Sequence, residues 1–319
     1  MQNAAQVSIF ERWSHPEVIL VATGLSDLER LMPFAIDQAR QTGARLLLLH
    51  VLGTGSAISV DPAGIPSYDP ASALEFAGRA LEPICSDARR QGIACDILLR
   101  EGPVPQQIAA VARQFRADRL LLGTRNRSKL GKLLLGSVAE QVLRSVNLPV
   151  MTVGPEAHLQ VASINRQPAV LHATTLRETS RPSAALACHV AASQHARLIL
   201  LHVLPPIDEM VRDGLATGLD SAAMFELRQL AEETRAGCCS KVEEIVAHGN
   251  PFIEILAAAS EQQASLIVLG TTQRSAFENL TRDRVVYRVL AHARCPVLVL
   301  YEPTVPGIES EMEPITAHL

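Results

Sequence analysis

The chain has 319 residues, which is long enough for two ordinary domains with a hydrophobic core each. Hydrophobic residues make up 48% and charged residues 19%, a composition typical of folded globular proteins. The formal net charge of −4 argues against nucleic acid as the main partner. No apolar run approaches the roughly 18 residues of a membrane span, and Glu11 and Arg12 interrupt the start where a signal peptide would be apolar. We therefore expect a cytoplasmic protein with no membrane partner.

In the first half of the chain, short apolar runs alternate with longer stretches of helical period. Continuous apolar runs are typical of strands that are buried on both faces of a parallel sheet. The predicted order is strand 17–22, helix 27–42, strand 45–52, helix 71–91, strand 94–100, helix 103–116, strand 119–123, helix 137–146 and strand 149–153. The segment 53–71, rich in Gly, Pro and Ser, is predicted to be a loop. This alternation predicts a doubly wound α/β fold.

The second half repeats the first at an offset of about 150 residues. His50 and His202 each end an Arg-Leu-x-Leu-Leu-His run, and Gly102 and Gly249 each precede a helical stretch. A Pro-Val strand closes both halves, at 149–153 and at 296–301.

The six cysteines show no C-x-x-C spacing of the kind that holds a metal. We interpret all six as reduced thiols in a reducing compartment. The adjacent Cys238 and Cys239 are interpreted as packing residues rather than as a redox site.

One stretch carries the strongest functional signal. Gly123 ends an apolar strand, a basic loop follows, and Gly136-Ser137 opens an amphipathic helix. This arrangement presents free backbone N–H groups to an anion. The loop contains four cationic residues, Arg125, Arg127, Lys129 and Lys132. They either contact the phosphates of a ligand or simply keep the loop solvated, and both interpretations stay open.

With these motifs, the chain resembles a tandem universal stress protein. The pattern Gly-x2-Gly-x9-Gly-Ser/Thr, followed by Val-Ala-Glu and a Pro-Val strand, is matched at Gly123, Gly136-Ser137 and Val138, with Asn126 in place of the second glycine. The resemblance implies two Rossmann-like domains of five parallel strands each, of the adenine nucleotide alpha hydrolase-like type. They are expected at 15–154 and 168–302, with a loose tail at 303–319. The resemblance further implies that the closing strands at 149–153 and 296–301 pair within one chain as a pseudo-dimer, which would cover their apolar edges. Whether two chains then form a homodimer is left open.

The resemblance also implies a nucleotide site between the first and fourth strands, where the strand order reverses. The residues expected to line it are Thr23, Val51, Leu122, Gly123, Asn126, Gly136, Ser137 and Val138. The expected ligand is ATP or a related adenine nucleotide, with Mg²⁺ present only together with the nucleotide. A carboxylate normally follows the threonine of the first strand, but this chain has Gly24 there.

The second copy departs further from the motif. Gly270 is kept, whereas Gln273 and Asp283-Arg284 replace the second glycine and the Gly-Ser pair. A carboxylate at a helix N-terminus can cap that helix itself and would repel a phosphate. The sequence therefore predicts that the second domain binds no nucleotide.

Catalysis is not predicted. Ser137 lies in no nucleophile elbow, and no carboxylate or cysteine stands at a ligand spacing beside His50 or His202, so both histidines are expected to be structural. We expect a regulatory, non-enzymatic stress-response protein that binds an adenine nucleotide in its first domain. The alternative is an interaction protein of the same family that binds no nucleotide and has unknown protein partners. An enzyme of the adenylate-transfer kind is a weaker third option.

Overall fold

The computed structural model of the chain describes residues 9–10, 12–53, 58–60, 66–124, 136–159, 167–177, 180–206, 215–237, 241–271 and 282–301. Strands and helices alternate in both halves. The first half contains β1 (Val18–Thr23), α1 (Leu28–Thr42), β2 (Arg45–Leu52), β3 (Ile58–Val60), β4 (Pro66–Tyr68), α2 (Pro70–Arg90), β5 (Cys95–Glu101), α3 (Val104–Gln114), β6 (Arg119–Gly123), α4 (Ser137–Ser145) and β7 (Val150–Val153). The second half contains β8 (Ala169–Thr174), α5 (Arg181–Ser193), β9 (Arg197–Leu204), α6 (Leu215–Gly237), β10 (Val242–His248), α7 (Pro251–Glu261), β11 (Ala264–Thr271), α8 (Arg282–His292) and β12 (Val297–Tyr301).

The α/β fold with a mostly parallel sheet is confirmed, and every strand and helix predicted in the first half is present. One expectation was wrong in part. The segment 53–71 contains an antiparallel hairpin in which β3 pairs with β4, with Ile58 opposite Tyr68. The strand-forming residues Ile58, Val60 and Tyr68 offer a physical reason for the pairing, which the abundance of Gly and Pro hides in the sequence. Asp69 then caps α2 by accepting a hydrogen bond from the backbone N–H of Ser72 at 3.1 Å.

The ten long strands form a single sheet in the order β10-β9-β8-β11-β12-β7-β6-β1-β2-β5. Neighbouring strands are parallel within each half, and the two halves meet where β7 runs antiparallel to β12. In that pair Met151 lies opposite Leu298, and the Thr152 hydroxyl donates to the carbonyl oxygen of Val297 at 3.3 Å. The expected pairing of the two closing strands within one chain is confirmed.

Helices cover both faces of this sheet. One hydrophobic cluster joins α1, α2, α5 and α6 to one face, and a second cluster joins α3, α4, α7 and α8 to the other. Alternate strand residues serve the two clusters: in β1, Ile19 and Val21 face the first cluster, whereas Leu20 and Ala22 face the second. All four of these side chains are buried. This burial on both faces explains why the strands are continuous apolar runs.

Local backbone geometry repeats between the halves along with the sequence. Gly102 has φ of +130° and Gly249 has φ of +139°, a region that favours glycine. The N–H of Gly102 donates to the carbonyl of Leu52, and that of Gly249 donates to the carbonyl of Leu204. The two glycines therefore make the same turn after β5 and β10, as their matched positions in the sequence suggested.

The segment before β1 is fixed by buried polar contacts. Arg119, which is 1% exposed, donates from Nη2 to the carbonyl oxygen of Trp13 at 2.6 Å and from Nη1 to Gln38. Asp118 accepts hydrogen bonds from the backbone N–H groups of Glu17 and Val18, each at 3.0 Å. The start of the chain is thereby held against the amino end of β6.

The same segment reaches the second half through its aromatic side chains. Phe10 and Trp13 are both buried, and their ring centroids lie 5.9 Å apart in an edge-to-face arrangement. Phe10 also stacks on the ring of His189 in α5, with the centroids 6.4 Å apart. Phe10 therefore contributes to a hydrophobic cluster that both halves share.

The cysteines follow the expectation only in part. Cys85, Cys95 and Cys295 are free and buried, and burial raises the pKa of Cys295 to about 12. Cys188 is disulfide-bonded, which corrects the interpretation of six reduced thiols. The cysteine spacing in the sequence gave no sign of this, since a disulfide depends on tertiary proximity. Cys238 and Cys239 lie outside the described residues.

Candidate functional site

The predicted crevice lies at the carboxyl ends of β1 and β6. β1 pairs on one side with β2, where Thr23 lies opposite His50, and on the other side with β6, where Ala22 lies opposite Leu122. From β1 the chain continues to β2 on one side, whereas β6, the fourth of the five long strands of this half, lies on the other side of β1. The strand order therefore reverses at β1. In open α/β sheets such a point is the usual place for a ligand.

A tight turn ends β1 and begins α1. The Thr23 hydroxyl accepts a hydrogen bond from the backbone N–H of Leu25 at 3.0 Å, and Leu25 has φ of +70°. The same hydroxyl donates to Oδ1 of Asp27 at 2.6 Å, and that oxygen also accepts from the N–H of Gly24 at 3.2 Å. Thr23 is thus buried and engaged in the turn, with its side chain directed at Asp27.

Two charged residues that the sequence analysis did not single out lie in this crevice. A Cβ atom on Gly123 would stand 2.6 Å from Oδ2 of Asp27 and 2.8 Å from Nη2 of Arg30. Both distances are shorter than real Cβ contacts, so the ends of these two side chains would have to shift to admit any other residue at position 123. Asp27 is the N-cap residue of α1 and Arg30 is its third residue, and no motif in the sequence marks either of them.

His50 is held by the main chain of the site. Its Nδ1 lies 3.0 Å from the carbonyl oxygen of Thr23. A carbonyl only accepts, so Nδ1 carries the proton in this contact. The expectation that His50 makes a structural hydrogen bond is confirmed. Val51, the next residue, is buried in the second cluster together with Leu122. Both side chains lie on the face of the sheet that α3 and α4 cover.

The start of α4 supplies the other part of the predicted site. Gly136 is the N-cap residue in an extended conformation and, as a glycine, makes no side-chain cap hydrogen bond. Ser137 and Val138 follow as exposed first-turn residues, Val138 being 40% exposed. A glycine N-cap leaves backbone N–H groups available to an anion. A crossover helix that runs antiparallel to the strands begins at their carboxyl edge, so this N-terminus lies on the crevice side of the sheet.

Part of the predicted site lies outside the described residues. This holds for Asn126 and for the four cations of the basic loop, Arg125, Arg127, Lys129 and Lys132. The structure thus brings Thr23 and Gly123 together at the carboxyl edge of β1 and β6. It buries Val51 and Leu122 on the face that α3 and α4 cover, and it puts Gly136, Ser137 and Val138 at the start of α4.

The second half repeats the turn but not its charges. The Thr174 hydroxyl accepts from the N–H of Leu176 at 3.1 Å, and Nδ1 of His202 lies 3.0 Å from the Thr174 carbonyl oxygen. The hydroxyls of Thr175 and Ser180 lie 2.6 Å apart, where the first half has the Asp27 carboxylate. Asp283 falls in the first turn of α8. Its side chain and Gln273 lie outside the described residues.

Comparison with known proteins decides the family. The model described as "Universal stress protein family" matches residues 16–154 and again residues 169–300. The chain belongs to the universal stress protein family. The two matched segments make it a tandem member, as the internal repeat predicts.

Individual relatives of this family member match it mostly one half at a time. A universal stress protein of Methanocaldococcus jannaschii is 28% identical over 138 residues, which is 42% of this chain and 80% of the relative. The universal stress protein YxiE of Bacillus subtilis is 30% identical over 132 residues, 36% of this chain and 85% of the relative. A crystal structure of a universal stress protein from Archaeoglobus fulgidus matches the fold with a TM-score of 0.68 and 21% identity, covering 91% of this chain and 97% of that one.

The described part of the chain shows neither a metal centre nor a membrane span. Within the described ranges, no group of three or more His, Cys, Asp or Glu side chains could hold a metal ion. No helix in that part of the chain is long and apolar enough to cross a membrane.

Proposed function

We propose that this universal stress protein binds one adenine nucleotide, ATP or a close relative, in its first half and acts as a regulatory binding module rather than an enzyme. The observation that carries the proposal is the N-terminus of α4, which begins at Gly136 on the crevice side of the sheet. Its backbone N–H groups suit phosphate oxygens, and the apolar side chains of Val51 and Leu122 suit a base. Mg²⁺ would arrive with the nucleotide and not beforehand.

We propose that nucleotide binding acts by changing the conformation of the segment 124–136. Nucleotide at Gly123 and Gly136 would contact both ends of the segment 124–136, so binding would alter that loop and any protein surface it forms. Hydrolysis would need a catalytic base and a positioned water, and the proposal assigns no residue to either role. The expected behaviour is therefore reversible binding without turnover.

Isothermal titration calorimetry of the purified chain tests the proposal. Wild-type protein should bind ATP saturably with one nucleotide per chain, and Gly136→Asp should abolish binding because it places a carboxylate at the phosphate position. Gly218→Asp is a matched control, since Gly218 is an exposed helical glycine with open space around its Cβ position. Absence of binding by wild-type protein at millimolar ATP would overturn the proposal. Mass spectrometry of denatured protein shows whether ATP or ADP is carried through purification.

A second candidate function is an interaction protein that binds no nucleotide. Two exposed phenylalanines favour it: Phe76 on α2 is 65% exposed, and Phe225 on the corresponding helix α6 is 62% exposed. Exposed aromatic residues at matched positions suit protein contact better than a solvated helix face. This candidate predicts that ATP leaves the thermal unfolding midpoint unchanged, whereas Phe76→Ser and Phe225→Ser release a protein partner.

A further inference from the structure

We infer that Asp27 is the carboxylate that binds the ribose hydroxyls of the nucleotide and that Arg30 binds its phosphate group. The inference rests on the proposed function, because it takes a nucleotide in the first half as the ligand. It adds a specificity: the crevice selects ribonucleotides over their deoxy counterparts. Neither residue belongs to the sequence motif of Gly123, Gly136 and Ser137.

The two oxygens of Asp27 have different surroundings. Oδ1 accepts hydrogen bonds from the Thr23 hydroxyl and the Gly24 N–H, which fix the side chain. Oδ2 faces Gly123 in the crevice, 2.6 Å from where a Cβ would be. The carboxylate is therefore held in advance with one oxygen directed at the ligand position. In the dinucleotide-binding Rossmann fold, an acidic side chain beside the crevice is the hydrogen-bond partner of a ribose hydroxyl.

Asp27 also supplies a carboxylate near position 24, where this chain has glycine in place of the usual acidic residue. The carboxylate accepts from the backbone N–H of Gly24 itself, so it lies beside the residue that has no side chain of its own. Asp27, three residues after Gly24 at the N-cap of α1, thus places a negative charge at the end of β1. This contact depends on the left-handed turn at Leu25, which a reading of the sequence cannot show.

Arg30 provides the complementary charge. Its Nη2 lies 2.8 Å from the same point above Gly123, and its Nε is buried without a hydrogen-bond partner. Buried side-chain donors are rarely left unsatisfied in native proteins. A phosphate or ribose oxygen in the crevice would supply the acceptor, and a guanidinium binds phosphate through several N–H groups at once.

The second half lacks this pair. Ser180 is the N-cap of α5, as Asp27 is of α1, and Ser183 is the third residue of α5, as Arg30 is of α1. Ser180 lies 2.6 Å from the Thr175 hydroxyl, and Ser183 donates to the carbonyl oxygen of Ser180 at 3.0 Å. Both hydroxyls are engaged locally and neither carries charge. Ribonucleotide recognition of this kind is therefore confined to the first half.

Calorimetry with three ligands separates the two roles: ADP, 2′,3′-dideoxy-ADP and adenosine. Wild-type protein should bind ADP about tenfold or more tightly than the dideoxy compound, a ratio expected for a hydrogen bond to a charged group. Asp27→Asn keeps an oxygen for Thr23 and Gly24 but loses the anionic acceptor, so the ratio should fall below about threefold. Arg30→Gln should weaken ADP about tenfold while changing adenosine affinity less than about twofold.

Matched controls come from the same helix. Glu29→Gln removes an exposed carboxylate between the two residues, and Arg40→Gln removes an exposed cation in the last turn of α1. Neither should change any of the three affinities. Should Asp27→Asn fail to fold, Asp27→Ser, with the N-cap residue of the second half, replaces it. If wild-type protein binds ADP and Asp27→Asn keeps the full ratio, the inference is overturned and the proposed function stands. If wild-type protein binds none of the three ligands, both are overturned.

Discussion

The imidazole of His50 lies with Nδ1 3.0 Å from the carbonyl oxygen of Thr23, and His202 makes the same contact with Thr174 in the second half. Each bond joins the carboxyl ends of two neighbouring strands, because Thr23 and His50 are opposite each other in the register, as are Thr174 and His202. The duplication has therefore kept the frame of the crevice in both halves. The charged residues Asp27 and Arg30 occur only in the first, which makes the two histidines a matched pair for separating stability from binding.

His50→Leu and His202→Leu should each lower the free energy of unfolding by about 1 kcal/mol, since each removes one hydrogen bond to a carbonyl group. Urea unfolding followed by circular dichroism measures this loss. Only His50→Leu should also weaken ADP, because it releases the Thr23 end of β1 beside the crevice. Equal effects of the two substitutions on ADP affinity would contradict the assignment of the site to the first half.

The stability of the second half should depend on pH through His172. This residue is fully buried in β8, donates from Nδ1 to the carbonyl oxygen of Val268 at 3.0 Å, and has an unpartnered Nε2. Burial lowers its pKa from 6.5 to about 4. Between these values the unfolded chain binds a proton that the folded chain does not, so stability falls as the pH drops from about 6.5 to about 4. The full loss is on the order of 3 kcal/mol.

Replacing His172 by valine, the residue at the matching position 21, should remove this acid sensitivity. Urea midpoints at pH 7 and pH 5 provide the measurement: the difference between them should shrink in His172→Val. The control is His158→Gln, which changes an exposed histidine and should leave the difference as in wild-type protein. An unchanged pH dependence in His172→Val would show that other groups cause it.

Apolar runs and turn residues were sufficient to predict the α/β alternation and the duplication, because these depend on periodicity and on burial of whole strands. The pairing of β7 with β12 was predicted from the family resemblance. The candidate site was predictable only where it follows a backbone motif, as at Gly123 and Gly136. Asp27 and Arg30 escaped the sequence analysis because their position depends on the turn at Leu25 and on the close approach of α1 to β6. The disulfide of Cys188 and the hairpin of β3 and β4 likewise depend on contacts that no local pattern encodes.

Replacing Gly123 by alanine should weaken ADP binding, whereas replacing Gly78 by alanine should raise the stability of the protein. A Cβ on Gly123 would meet Asp27 and Arg30 at 2.6 Å and 2.8 Å, so both side chains must move and ADP affinity should fall about tenfold. A Cβ on Gly78 would lie 3.4 Å from Cδ1 of Leu99, an ordinary contact inside α2. Gly78→Ala should therefore stabilise the protein by up to about 1 kcal/mol and leave ADP affinity unchanged. Calorimetry and urea unfolding test both, and unimpaired ADP binding by Gly123→Ala would contradict the crevice geometry.

Removing the Phe10 side chain should loosen the start of the chain before the rest unfolds. Phe10 is 6% exposed and packs on Trp13 and on His189 of the second half, so Phe10→Ala should lower the free energy of unfolding by about 3 kcal/mol.

Trp13 is the single tryptophan of the chain and is 4% exposed, so its fluorescence reports on this segment alone. In wild-type protein, fluorescence and circular dichroism should give one urea midpoint. In Phe10→Ala the fluorescence midpoint should fall below the other, because Trp13 loses its edge-to-face partner. Phe76→Ala, at a side chain 65% exposed, is the control and should change neither midpoint. Coincident midpoints in Phe10→Ala would mean that the segment unfolds only together with the sheet.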